Sequence, residues 1–173
     1  LEKPPVVLAL GVRKDWPVAA EMLDRALQAA LRKEGRAIMA KWFEAASKVG
    51  AEFRPTAEEK AWLAAHPTLR VGVMDNWPPM DFIDESGTAH GIGVDFIGVL
   101  NDLLGGRIEI VPGPFVGLLE DVRAGRLDAL MDVTPRPDRE AYLRFTKPYA
   151  TLPHAIAARK GGGRVGSLES LGI

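Results

Sequence analysis

The chain contains no cysteine, which excludes a disulfide framework, a thiolate nucleophile and cysteine-ligated zinc together. Histidine is nearly as scarce. The three present, His66, His90 and His154, never fall at the three- or four-residue spacing that sets two imidazoles on one helical face around a metal. Long apolar runs are missing as well. The stretches Val6 to Val12 and Val116 to Leu119 are far shorter than the ~18–20 residues that span a bilayer, so this segment is not expected to insert in a membrane. With 22 Lys and Arg against 23 Asp and Glu, there is no basic excess to attract a phosphate backbone, and nucleic acid is not an expected partner. No Gly-x-Ser-x-Gly elbow occurs. Gly91-Ile-Gly93 fails the dinucleotide fingerprint because its third glycine position is Phe96, and Gly161-Gly-Gly163 lacks the Lys-Ser/Thr of a phosphate-cradling loop. No nucleophile, metal cluster or placed acid–base pair emerges, so neither enzymatic turnover nor a cofactor is expected.

What is present is the composition of a packed soluble domain, 47% apolar and 26% charged over 173 residues, enough for one domain or slightly more. Val6 to Val12 reads as a strand. Asp15 reads as an N-cap with Pro17 in the first helical turn. Ala19, Met22, Leu23, Ala26, Leu27, Ala30 and Leu31 then recur at spacings of three and four, and Ile38, Met39, Trp42, Phe43 and Ala46 repeat that pattern after Gly35. Thr56 and Glu59 form a capping-box signature for a short helix closed by His66-Pro67. From Leu69 strand and helix alternate: Leu69–Met74, a hairpin around Asp81–Ile83, a helix over Gly93–Leu104 ended by Gly105-Gly106, strand Ile108–Val111, helix Phe115–Ala124 and strand Leu127–Met131. This alternation predicts an α/β fold with a central mixed, mostly parallel sheet flanked by helices.

Two clusters stand out as candidate chemistry. Asp75-Asn-Trp-Pro-Pro-Met-Asp-Phe82 sets Trp77, Phe82 and the Asp75 carboxylate on a proline-stiffened loop beyond the carboxyl end of a strand, where open α/β sheets bind ligands. The competing reading has Trp77 and Phe82 capping the edge of the core. In Asp128-Ala-Leu-Met-Asp-Val-Thr-Pro-Arg-Pro-Asp-Arg139, a second strand empties into a loop carrying Asp132, Thr134 and Arg139. An Arg fork with a hydroxyl and free backbone N–H groups suits a carboxylate. The alternative is a surface salt bridge from Arg139 to Asp138 or Glu140.

Residues 69–159 resemble the first lobe of the type 2 periplasmic solute-binding domains, the amino-acid-binding class of Venus-flytrap proteins. The resemblance is carried by Arg70-Val-Gly-Val73, the Asp75-x-Trp-Pro-Pro79 loop, Gly91-Ile-Gly-Val-Asp-Phe96, Ala124-Gly-Arg-Leu-Asp-Ala-Leu130, Thr134 followed by Arg139, and Phe145-Thr-Lys-Pro-Tyr149. Residues 8–43, with Val12-Arg-Lys-Asp-Trp-Pro17 and Lys41-Trp-Phe43, look like the closing segment of a similar domain. The resemblance implies a division into a closing segment of a preceding flytrap (1–46), a linker with a short helix (47–68), the first lobe of a second flytrap (69–158) and a crossover (159–173) toward a second lobe beyond Ile173. The opening Leu-Glu-Lys-Pro-Pro, with neither Met nor leader, reads as the start of an excised or processed piece. That order is the one seen in tandem flytraps of bacterial membrane sensors, of histidine kinase or diguanylate cyclase type. It implies a periplasmic ligand-sensing role and an amino-acid or carboxylate ligand held by Asp75, Trp77, Phe82, Asp132, Thr134 and Arg139. Met80 stands where the family usually has an aromatic, and Asp132 where a small residue is common. Asp132 leaves two readings open, internal neutralisation of Arg139 or a grip on a ligand amine. The other functions to weigh are the solute-binding component of an ABC importer and a flytrap-fold enzyme such as a dehydratase. Residues 1–46 are expected to pack on the α/β part, in cis or exchanged in a swapped homodimer.

Overall fold

The structure, a computed structural model, describes residues 6–35, 37, 38, 41 and 53–152. Its centre is a six-stranded mixed sheet. Three strands lie parallel: β2 (Leu69–Met74) pairs with β6 (Ile108–Gly113) on one side and with β7 (Ala129–Val133) on the other. The first strand of the chain, β1 (Val6–Arg13), enters antiparallel to β7. On its far side β1 pairs antiparallel with β8 (Leu143–Phe145) and β9 (Ala150–Leu152). The sheet is thus parallel in one half and antiparallel in the other, because the N-terminal strand occupies a central position. A second, three-stranded sheet is made by β3 (Asn76–Trp77), β4 (Asp81–Ile83) and β5 (Ala89–His90).

The first helix, α1 (Pro17–Lys33), buries Ala19, Met22, Leu23, Ala26, Leu27 and Ala30, the stripe that the spacing predicts. Its apolar face joins one core with Leu8 and Leu10 of β1 and with Phe96, Ile97 and Leu100 of α3 (Ile92–Leu104). Strand β1 and helix α1 of the N-terminal segment therefore pack on the α/β part. A smaller core forms on Leu118 and Val122 of α4 (Phe115–Arg123) with Leu127, Leu130, Val133 and Leu143. Burial at roughly 25 cal/mol per Å² of apolar surface stabilises both layers. Among the described residues no helix is long and apolar enough to cross a membrane.

The capping box is formed as expected. Thr56 caps α2 (Ala57–Ala65), accepting from the Glu59 N–H at 3.2 Å, while Glu59 accepts from the Thr56 N–H at 2.7 Å. Glu59 also pairs with Arg25 of α1, which ties the connecting helix to the first one. The N-cap of α1 differs from expectation. Trp16 holds that position, and Asp15 is taken instead by Arg13, whose Nε and Nη2 donate to it at 2.9 and 2.6 Å. An ion pair two residues away outcompetes the weaker capping bond. The second helical pattern is described at positions 37, 38 and 41, which are helical, while Met39, Trp42, Phe43 and Ala46 lie outside the described residues, as does the apolar run Pro153 to Ala158.

Candidate functional site

Parallel strands place their carboxyl ends on one edge of a sheet, and three loops gather there. Met74, at the end of β2, is paired with Gly113, at the end of β6, and the pairing of Gly72 with Leu130 brings the end of β7 alongside. The loop after β2 carries Asp75 and Trp77, and β4 beyond it carries Phe82. Phe115 opens α4 after β6. Thr134 and Arg139 follow β7. This edge is where ligands meet open α/β sheets.

The first loop is held by backbone hydrogen bonds. Met80 N–H donates to the Trp77 carbonyl at 2.8 Å, and Ile83 N–H to the Asp75 carbonyl at 3.0 Å. The first N–H groups of α3 reach back to the same loop: Ile92 donates to the Pro79 carbonyl and Gly93 to the Met80 carbonyl, each at 3.0 Å. Donors that a helix start leaves without intrahelical partners are thereby satisfied. The Pro78–Pro79 peptide is cis. Gly91, at φ 131, faces Met80 so closely that a Cβ there would lie 2.0 Å from the Met80 oxygen. The Gly-x-Gly that fails as a nucleotide fingerprint thus serves a close backbone approach between hairpin and helix.

Trp77 is half-buried against the main core. Phe82 is half-buried too, with its ring 5.8 Å from that of His90. The Asp75 side chain is exposed. Met80, by contrast, is 1% exposed and belongs to the core, so its replacement of an aromatic alters packing beneath the loop rather than the loop's outer face.

In the second loop Arg139 donates from Nη1 to the Thr134 carbonyl at 2.9 Å and lies over the Phe115 ring at 5.1 Å. Its Nε is buried with no partner. The neighbouring acid Asp138 pairs with Arg136 at 3.0 Å, so the surface salt bridge to Asp138 is not what the chain forms. Arg139 is a guanidinium folded onto an aromatic ring, with donors left for an anion. Phe115 was not singled out from the sequence. A phenylalanine directly after Gly113-Pro114, at a strand-to-helix turn, was the available signal.

Among the described residues Asp132 makes no ion pair with Arg139 and faces another acid instead. Its side chain is 3% exposed and turned toward Asp81, which is 0% exposed. Burial, then the charge of Asp81, pushes the Asp132 carboxyl well above the ordinary carboxylate range. Burial likewise raises Asp81, to about 6, although Asp132 and the N–H groups of Met74 and Val94 favour its charged form. The structure therefore brings together Arg139 with Thr134 and Phe115, and Asp132 with Asp81. It leaves Trp77, Phe82 and Asp75 on the adjoining loop. Open grooves of about 440 and 280 Å³ lie elsewhere, along α1, lined by Asp24, Arg25 and Lys147. Among the described residues no group of three or more acidic or histidine side chains is placed to hold a metal.

A mixed sheet flanked by helices, with chemistry-bearing residues gathered at its parallel edge, is the architecture of one lobe of a type 2 periplasmic-binding-protein fold. The chain belongs to the bacterial extracellular solute-binding proteins, family 3, whose family model matches residues 69–166. Similar solved structures include an ancestral cationic amino acid solute-binding protein, 29% identical, matched over 47% of this chain and 36% of its own, with a TM-score of 0.42. A truncated arginine-binding protein from T. maritima in its arginine-bound form is 27% identical, over 47% of this chain and 39% of its own, with a TM-score of 0.42. A histidine kinase sensor domain with similarity to periplasmic binding proteins is 26% identical, over 44% of this chain and 33% of its own, again with a TM-score of 0.42. The match spans between a third and two-fifths of those chains. No curated protein matches this sequence.

Proposed function

We propose that the chain is the ligand-binding part of an extracytoplasmic sensor of amino-acid-like or carboxylate solutes. The observation that carries this reading is Arg139, held on Phe115 and the Thr134 carbonyl with a buried Nε that has no partner. In a family of solute-binding proteins, such a group at the carboxyl edge of the parallel strands fits a ligand carboxylate. Trp77 and Phe82 then supply apolar walls, Thr134 a hydroxyl, and Asp75 an exposed charge at the rim. A single lobe forms one wall of an interlobe cleft, which accounts for an open half-site here. Closure of a second lobe over the ligand shifts an open–closed equilibrium, and a membrane-linked output domain reads that shift.

Membership of a sensor, rather than of an importer, is favoured by the way β1 and α1 complete the sheet. A piece resembling the end of one flytrap precedes and supports the start of the next. Turnover is not part of this reading, since the paired acids near the loops, Asp81 and Asp132, are both buried. The test is a thermal-shift panel of the common amino acids and small dicarboxylates on a protein spanning this chain and the second lobe. A concentration-dependent rise in melting temperature with at least one carboxylate-bearing compound is expected. No shift with any of them, or steady consumption of a compound, would contradict the reading.

A further inference from the structure

Two carboxylates are sealed between the candidate ligand loops. Asp81 and Asp132 are 0% and 3% exposed, and none of their four oxygens receives a well-formed hydrogen bond from a described donor, the N–H groups of Met74 and Val94 lying near Asp81 without closing one. Both converge on the first turn of α3: a Cβ on Gly93 would lie 2.5 Å from Asp81 Oδ1 and 2.7 Å from Asp132 Oδ2. Asp132 also holds a left-handed backbone at φ 58, uncommon outside glycine and tolerated best by Asn and Asp. An ionised carboxylate only accepts, so two of them facing one another have no donor between them. One proton supplies it.

The surrounding ionisable groups are otherwise engaged. On β2 and before β7, Arg70 is paired with Asp128; on α3, Asp95 with Lys41; on the β4–β5 hairpin, Asp84 with His90. After β7, Arg139 lies over Phe115. Among the described residues Asp81 is the charged side chain that acts on Asp132. Asp81 is the better anion of the two, since the N–H groups of Met74, at the end of β2, and of Val94, in the first turn of α3, favour its charged form.

We propose that Asp81 and Asp132 share one proton, and that this acid–carboxylate link is a positioning device joining the hairpin beside Trp77 to the loop of Thr134 and Arg139. The link stands on the structure alone. Its consequence for ligand geometry rests on the proposed function of those loops. The direction of its pH dependence follows from linkage. The folded pair retains protons that an unfolded aspartate releases near pH ~3.9. Its contribution is therefore fully present below that value and is lost as pH rises through the folded values, the first of them about 6. Over that window the folding equilibrium weakens by up to about tenfold per pH unit for each retained proton.

The experiment is a carboxyl-¹³C NMR titration of the complete 173-residue chain without ligand, beside melting curves of wild type, Asp132→Asn and Asp132→Ala. In wild type one Asp carboxyl should stay protonated at pH 7, and the Trp77 indole and Thr134 amide should move with its midpoint. Asparagine at 132 offers an N–H to Asp81 and accepts the left-handed backbone, so Asp132→Asn should fold, abolish that midpoint and flatten the fall in melting temperature above pH 6. Asp132→Ala, with no donor, should be destabilised and not rescued. Ordinary titration of every Asp near pH 4 in wild type would overturn the proposal, as would an unchanged pH slope in Asp132→Asn. Saturable movement of the two carboxyl signals on adding Ca²⁺ would assign a cation in place of the proton and overturn it too. Should the variants not fold, the wild-type titration still decides. Because no ligand is added, failure here is distinct from failure of the thermal-shift panel.

Discussion

Gly91→Ala is expected to abolish folding, or to leave a chain with no cooperative thermal transition by circular dichroism. A methyl group there would meet the Met80 carbonyl oxygen at 2.0 Å, with the Asp81 Cα at 2.9 Å behind it. The obstacle is backbone rather than a mobile side-chain tip, so neither partner can yield without moving the hairpin off α3. The residue also sits at φ 131, which an L side chain rarely adopts. Steric overlap and backbone strain add, and total stability is only about 5–15 kcal/mol for a domain. Gly87 provides the internal contrast. It too has positive φ, at 83, but no atom lies within 4 Å of its would-be Cβ, so Gly87→Ala should cost only about 1 kcal/mol. Equal melting temperatures for the two variants would contradict the docking of hairpin on helix.

Arg139→Ala should weaken binding of a carboxylate ligand by about 2–5 kcal/mol, the range for stripping one partner from a desolvated charge pair. This corresponds to roughly thirtyfold up to several thousandfold in Kd. Stability should change far less, by about 1 kcal/mol, since the described hydrogen bond that is lost is the one to the Thr134 carbonyl. Arg139→Lys should recover little, because a point charge cannot reproduce a planar fork lying on the Phe115 ring. Calorimetry on a protein with both lobes separates the cases. Unchanged affinity in Arg139→Ala would remove this residue from the site.

Much of the fold was legible because its signals are periodic. The α1 stripe, the Thr56–Glu59 capping box, the Gly105 helix stop at φ 77 and the parallel strands all follow from spacing or from single-residue backbone preferences. Strands β8 and β9 carry no such signal. Each has three residues, too few for alternation to register, and both exist because β1 offers an edge to pair with. That pairing is between residues more than a hundred positions apart, which no local window contains.

The candidate site divides along the same line. The placement of Trp77, Thr134 and Arg139 beyond the strand ends was readable because loop position and residue type agree. Asp81 was not, since an aspartate in a short strand beside a turn reads as solvent-facing, and burial of an acid is the exception that only tertiary packing reveals. Asp132 was read as an oddity at a ligand site, while its partner lies 51 positions earlier in sequence on another element. Whether Arg139 faced Asp138 was likewise undecidable until Arg136 was seen to take that acid.

The most direct measurement of the central claim is chemical-shift mapping on a protein spanning both lobes, with the strongest ligand from the thermal-shift panel added to saturation. The account predicts that, within residues 69–152, the largest changes fall on the Trp77 indole, the Arg139 guanidinium and the amides of Phe82, Phe115 and Thr134. Changes centred instead on the α1 groove at Arg25, Arg32 and Lys147, with those loop signals unmoved, would contradict it.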